Sequence, residues 1–372
     1  MTVAEPPLRG IVVVEAGTYV TAPFAGMMLA QLGARVIKIE PPRGDPFRRF
    51  AHRHRGLSAA WVNVNQGKES LLLDLKLDEG RAQLQALLAD ADVFIQNWRP
   101  GVATSLGVDP DATVAAHPRL IYLSISGFGD SGPRAAAPVF DALLQASSGL
   151  ATLETRGEHP NVLRSFVADK TTATYATQAI LAALIARART GRGGRLDLAM
   201  LDVMAHFNFP DLFQERTFLE PVQLPVPPPP PSAIVPTLDG YVCIAPVTGG
   251  HLGALARCLG HPEWIAHLKA IETPRQLITE IIRLATTETA TRTTTDCIRL
   301  FADADVPATE VRTADEHLID AQTVHNRLYD SAASPVGPIR RVRHPLTVGG
   351  AMLPRVGPYP TGPESQTNGK GE

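Results

Sequence analysis

Extended, mostly apolar runs alternate with helical periodicity through the first two hundred residues, and this alternation restricts the chain to one class of fold. Residues 11–15 read as a strand, 22–32 as a helix and 35–39 as a strand again, which is a βαβ unit. The pattern repeats with a strand at 70–75, a helix over 79–89, a strand at 92–96, a short helix ending near 116 and a strand at 120–125. It predicts a mostly parallel, doubly wound, Rossmann-like α/β sheet. A long helix beginning near Asp169, a strand at 195–199 and a helix starting near Asp202 complete a large domain, set at residues 1–220.

Pro225-Val-Pro-Pro-Pro-Pro-Pro231 cannot continue helix or sheet, so 221–235 is read as an extended linker. Beyond it, 234–237 and 241–246 flank Leu238-Asp239-Gly240 as a hairpin, with helices expected near 251–259, 275–287 and 293–302. These form a smaller α+β domain over 236–330. The segment 331–372, with a strand near 339–342, is expected to return to the large domain, its last nine residues disordered.

The formal net charge of -2 argues against a nucleic-acid partner, which would call for a concentrated basic face. Cys243, Cys258 and Cys297 lie too far apart for a zinc site and are read as buried thiols. The chain opens without a signal-peptide pattern and lacks any run of about 18 uninterrupted apolar residues. A cytoplasmic protein with no membrane partner is expected.

Ligands bind at the carboxyl ends of strands in such sheets, so the informative loops are 17–23, 96–101, 126–129 and the one bearing Asp169. The first has only Gly17 of a G-x-G-x-x-G motif, which demotes a dinucleotide enzyme, and no P-loop occurs. Lys76, Arg99, Arg43, Arg48 and Arg49 lie near these loops, and Trp98 offers a flat face; the competing readings are solvated arginines and a half-buried packing residue. Asp169 heads a helix whose apolar stripe runs through Ala173, Ala176, Ile180, Ala183 and Leu184, widened by Leu181, Ile185 and Ala186. The helix closes on Arg187, Arg189 and Gly191. At its amide-rich end an aspartate can be an ionised N-cap, a nucleophile, or both.

Seven collinear blocks, among them Gln31-Leu-Gly-Ala-Arg-Val-Ile-Lys-Ile-Glu-Pro-Pro42, Leu73-Asp-Leu-Lys76, Asn97-Trp-Arg-Pro-Gly101, Ser124-Ile-Ser-Gly-Phe-Gly129 and Thr190-Gly-Arg-Gly193, resemble the class III CoA-transferase family. That family also holds the α-methylacyl-CoA racemases. The resemblance implies an interlaced homodimer, with acyl-CoA and a free carboxylic acid as substrates, coenzyme A as part of the substrate, no permanently bound cofactor and no metal. It makes Asp169 the covalent catalyst. By position it assigns Thr18, Tyr19 and Val20 to the loop near the thioester and Leu73 and Lys76 to adenine and phosphate contacts. Asn97, Trp98 and Arg99 fall in the nucleotide pocket, and Ser126 with Phe128 in the acyl region.

The implied reaction passes CoA through an aspartyl anhydride and an aspartyl-CoA thioester. Departures from the family's branches narrow it. Phe140 stands where the racemase branch carries its histidine, and a phenyl ring carries no proton, which favours transfer over epimerisation. The racemase's further acid falls near Thr248. The formyl-CoA transferase flap is echoed only by Gly249-Gly250, and that branch's acyl-pocket tyrosine is Phe128 here. Phe128 and Phe140 point either to a more apolar acyl group or to core packing. The rival from another class is a non-catalytic acyl-CoA-binding protein.

Overall fold

A computed structural model of the chain describes residues 3–153, 155–156, 159–219, 233–246, 248–272 and 274–360. The proline tract and the expected disordered end lie outside the described residues. Two compact units emerge, one made of residues 1–213 and 326–372 and the other of 214–325.

The first unit is built on six parallel strands, β1 (Val12–Glu15), β2 (Arg35–Glu40), β3 (Glu69–Leu72), β4 (Val93–Gln96), β5 (Ile121–Ser126) and β6 (Gly194–Ala199). Their spatial order is β6-β5-β4-β1-β2-β3, so the chain winds outward in both directions from the boundary between β1 and β4. Loops leaving these two strands diverge, and the gap between them is where such sheets place ligands. Helix α1 (Thr21–Gln31) follows β1, α2 (Asp78–Ala89) follows β3, and α3 (Pro110–Ala116) follows β4. Helices α4 (Asp141–Ser147) and α5 (Val167–Thr190) follow β5, and α6 (Met200–Leu212) follows β6.

Period-two alternation explains why helices cover both faces. Val13, Val93, Ile95, Ile121 and Leu123 point into one core with Ala25 and Leu29 of α1 and Ala173, Ala176 and Ile180 of α5. Val14, Ile37, Phe94 and Tyr122 point to the other, against Leu84 and Leu88 of α2. Both faces of each central strand are therefore apolar, as a doubly wound parallel sheet requires.

Helix α5 ends as its sequence indicates, with Gly191 left-handed at φ 72° and its N–H bonded to the carbonyl of Arg187. The wider stripe fails at one place. Ile185 is 64% exposed, because α5 packs on the sheet along one side only and Thr174, Gln178 and Ala182 share the open side with it. Residues Tyr329–Ala332 and Ile339–Val342 pair as a hairpin whose Val342 carbonyl accepts from Gln31 of α1 at 2.8 Å, tying the C-terminal segment to the first unit.

The second unit has a three-stranded antiparallel sheet of Ala233–Pro236, Tyr241–Ile244 and Ala308–Glu310, with the middle strand shared. Helices Gly249–Cys258, Pro274–Thr289 and Thr294–Asp303 pack on it around Leu255, Ile281, Cys297 and Phe301. Among the described residues no helix is long and apolar enough to cross a membrane.

Candidate active site

Buried charge, an unfavourable thing to place in a sheet core, builds the loop after β1. Glu15 ends β1, Lys38 lies within β2, and Lys68 precedes β3; their side chains are wholly buried. The Glu15 carboxylate lies 3.1 Å from Lys38 Nζ and 2.6 Å from Lys68 Nζ, and Lys38 Nζ lies 3.2 Å from Asp45. Burial by itself would push the Glu15 carboxyl up, yet the two ammonium groups hold it below the usual carboxylate range. Burial lowers Lys68 to about 8 against the attraction of Glu15.

This cluster grips the backbone of the loop residue by residue. Gly17 N–H donates to Glu15, and Gly17 carbonyl accepts from Lys38 Nζ at 2.8 Å. Asn97 clasps Thr18 at both backbone groups, accepting at 3.0 Å and donating at 2.9 Å, across the β1/β4 divergence. Tyr19 N–H donates to Asp45 at 3.3 Å, and Tyr19 is held in the left-handed region at φ 62°. A side-chain-bearing residue there is unfavourable by roughly 1–2 kcal/mol, so the conformation is imposed by these surroundings. Val20 is buried and Thr21 opens α1.

Thr21 is the residue that meets Asp169: its hydroxyl donates to the Asp169 carboxylate. Asp169 lies in the first turn of α5, two residues after the helix begins at Val167, so it is not the N-cap. The capping contact expected of it comes from elsewhere in the chain. Asp141, buried at the start of α4, accepts the Asp169 N–H at 3.0 Å and is itself held by Gln145 at 2.6 Å. The starts of α1, α4 and α5 thus meet at Asp169, Thr21 bonding its carboxylate and Asp141 its backbone N–H.

The Asp169 carboxylate takes its hydrogen bond from the Thr21 hydroxyl, where a helix cap takes it from backbone N–H groups. Half-burial pushes the Asp169 carboxyl up to about 6; the Thr21 hydroxyl opposes that rise and the negative Asp141 adds to it. Such a carboxylate is ionised at neutral pH but poorly solvated, which makes it a better nucleophile than an exposed one.

The other residues singled out from the sequence are distributed as follows. Trp98, Arg99 and Ser126 line a cavity of about 200 Å³ at the carboxyl ends of β4 and β5, with Thr104, Asp130 and Arg195. Trp98 also meets Phe94 edge-on at 6.3 Å, so the packing reading holds for one side of its ring. Asn97 is committed to Thr18. Leu73 is a core residue, 4% exposed, and Lys76 is exposed in the turn before α2. Arg48 is paired with Glu40 through two 2.6 Å bonds and lies over Trp61, while Arg49 donates to the Arg43 carbonyl. Phe128 packs on the core beneath the guanidinium of Arg134, 3.8 Å away.

Sequence reasoning missed Thr21, Asp141 and the Glu15–Lys38–Lys68 cluster. A signal for the last was present, since Glu15 and Lys38 interrupt otherwise apolar strands; nothing local marks Thr21 or Asp141.

Residues 8–364 match the profile of CoA-transferase family III. The chain belongs to that family. A class III CoA-transferase of this kind has relatives of several named specificities. The chain is 34% identical to the succinate–glutarate CoA-transferase of Agrobacterium fabrum, over 86% of this chain and 83% of that one. It is 30% identical to a probable fatty acyl-CoA transferase of Mycobacterium tuberculosis, Rv3272, over 70% of each. The crystal structure of an aspartate-to-alanine mutant of Rv3272 superimposes with a TM-score of 0.83 at 26% identity, covering 96% of this chain and 97% of that one.

Thr21 provides a direct probe of this transferase's site. Because its hydrogen bond favours the charged carboxylate, Thr21→Val is expected to raise the pKa of Asp169. If Asp169 is the group that reacts, the acid limb of kcat/KM should move above pH 6 and kcat should fall about 10-fold or more. An unchanged pH profile measured with the same donor and acceptor would remove Thr21 from the machinery.

Proposed function

We propose that the enzyme moves CoA from an acyl-CoA thioester to a free carboxylic acid by covalent catalysis at Asp169. One observation carries this reading: a half-buried carboxylate, its pKa raised to about 6, stands where the first turns of α1, α4 and α5 converge beside the sheet's point of divergence.

An Asp169 oxygen attacks the thioester carbonyl, the C–S bond breaks, and CoA leaves as the thiolate from a mixed anhydride. The thiolate then attacks the aspartyl carbonyl of that anhydride, releasing the donor acid as its carboxylate and leaving an aspartyl-CoA thioester. The acceptor carboxylate attacks this thioester, expelling the thiolate and forming a second anhydride, which the thiolate opens at the acceptor's acyl carbonyl. Asp169 is regenerated with atoms and charge balanced. Each addition passes through an oxyanion, and helix-terminal amide dipoles are suited to stabilise it without reorganisation.

Trp98 and Arg99 would take the nucleotide end of CoA in the cavity they line, exposed Lys76 would meet phosphate, and the clasped loop from Thr18 to Val20 would lie along the thioester. Asp141 would act as a positioning residue, since both of its oxygens are already engaged. Phe140 adjoins it with a ring that cannot accept a proton, which supports transfer over epimerisation. The relatives named for succinate, glutarate and fatty acyl groups share CoA transfer and differ in acid. A homodimer of interlaced chains remains part of this reading.

The test is hydroxylamine trapping during incubation with an acyl-CoA and an acid, read by peptide mass spectrometry. An aspartyl hydroxamate at Asp169 is expected. Turnover without any modification there, or deuterium uptake at the α-carbon without CoA exchange, would overturn the reading.

A further inference from the structure

Five aromatic rings converge on the segments that hold Asp169. Tyr19, two residues before Thr21, meets Phe47 at 5.8 Å and Phe140 at 5.9 Å between ring centroids. Phe47 also meets Phe50 at 5.1 Å and Phe166 at 6.1 Å, and Phe50 meets Phe166 at 6.2 Å. The attachment of these rings matters as much as their contacts. Phe140 immediately precedes Asp141, whose carboxylate accepts the Asp169 N–H, and Phe166 lies one helical turn before Asp169. Phe47 forms a buried floor, 1% exposed, while the other four rings stand 37–63% exposed around it.

In the single chain these rings form clustered exposed apolar surface, which generally marks something that binds, and their attachment to the segments that hold Asp169 and its partners ties that role to the same site. Tyr19 adds to this, because its backbone is held left-handed to present that ring. Charge complementarity then selects the occupant. The carboxylates adjoining the rings are Asp169 and Asp141, both of which repel a second negative charge. Of the cations on the segments that carry the rings, Arg48 has its guanidinium fork on Glu40 and its face on Trp61, Arg49 donates to the Arg43 carbonyl and Lys170 to the Ser165 hydroxyl, while Arg164, exposed two residues before Phe166, is the cation the test must address. Phe128, the ring assigned from sequence to the acyl region, is covered by Arg134 instead.

We propose that the cup formed by Tyr19, Phe47, Phe50, Phe140 and Phe166 receives the acyl group and selects apolar acyl chains, aryl or branched, over acyl chains ending in a second carboxylate. The inference rests on Asp169 as the point of attachment, and the test separates the two claims by reading binding without turnover. Full-length protein carrying Asp169→Asn is titrated calorimetrically with phenylacetyl-CoA, isovaleryl-CoA, succinyl-CoA and free CoA. Phenylacetyl-CoA and isovaleryl-CoA are expected to bind at least about 10-fold more tightly than succinyl-CoA, the range that apolar pocket contacts supply.

Adding Phe140→Ala or Phe166→Ala should remove most of that advantage and leave free CoA unchanged. Both side chains are substantially exposed, so truncation should spare the fold, and circular dichroism checks it. Succinyl-CoA binding as tightly as phenylacetyl-CoA overturns the inference. So does an equal loss for every ligand, or a selective loss of succinyl-CoA binding in Arg164→Ala, which would mean that a distal carboxylate is being read. Any of these leaves CoA transfer standing if the hydroxamate forms at Asp169, and a missing hydroxamate leaves the binding preference to stand or fall by itself.

Discussion

Asp169→Asn should lower kcat for CoA exchange by at least about 10³-fold, the scale expected when a covalent nucleophile is removed and the surrounding dipoles are left in place. The amide is close to isosteric, and its oxygen can still accept from the Thr21 hydroxyl, so the loss would reflect nucleophilicity and not collapse of the loop. Binding of acyl-CoA should survive. Stability supplies an independent check with a definite sign. The carboxyl titrates near 6 in the folded chain against an ordinary value of 3.8, so the folded state binds its proton more tightly than the unfolded one. Wild-type stability therefore falls as pH rises from about 4 to 6 and stays lowered above that. Asparagine carries no such penalty, so Asp169→Asn should melt at a higher temperature than wild type at pH 7.5, with the gap closing near pH 4. A variant that is inactive and also less stable at pH 7.5 would indicate a structural aspartate.

Much of this arrangement could be read from the sequence because it depends on local pattern. The strands at 12–15, 35–40, 93–96 and 121–126 fall within a residue or so of where apolar periodicity puts them, and Gly191 closes the long helix where its sequence indicates. Burial on both faces makes such strands conspicuous, and glycine's left-handed freedom makes the cap conspicuous. The contacts of Asp169 could not be read that way. Thr21 and Asp141 stand 148 and 28 residues from it in sequence, and their bonds exist only because three helices start at the same end of one sheet. For the same reason the cap assigned to Asp169 turns out to be Asp141, a residue no local rule connects to that helix. Phe128 was singled out by alignment of blocks, whereas the rings beside Asp169 come from four separate segments.

Glu15→Gln should destabilise the protein by about 3–5 kcal/mol, the range seen when one partner of a buried ion pair is removed and the other left unpaired. The cluster of Glu15, Asp45, Lys38 and Lys68 balances two negative charges against two positive ones, and the substitution leaves it with an excess ammonium in a region without solvent. Lys68 is the group that can relieve the excess, since burial already lowers it from 10.5 to about 8. With its folded value below the unfolded one, the unfolded chain binds more protons between these values, so stability rises with pH across that window. Loss of Glu15 lowers the folded value further, so the deficit of Glu15→Gln should narrow as pH rises toward about 8 and stay level above it. Glu15→Gln combined with Lys68→Met restores charge balance and should recover a large part of the lost stability in thermal melts. Activity should not recover with it. Glu15 accepts from Gly17 N–H, Lys68 bonds the Pro23 carbonyl at 2.6 Å, and these hold the turn from which Thr21 reaches Asp169. A double variant as stable and as active as wild type would show that the charges serve only the core, and that the loop keeps its shape through Asn97 and Asp45 alone.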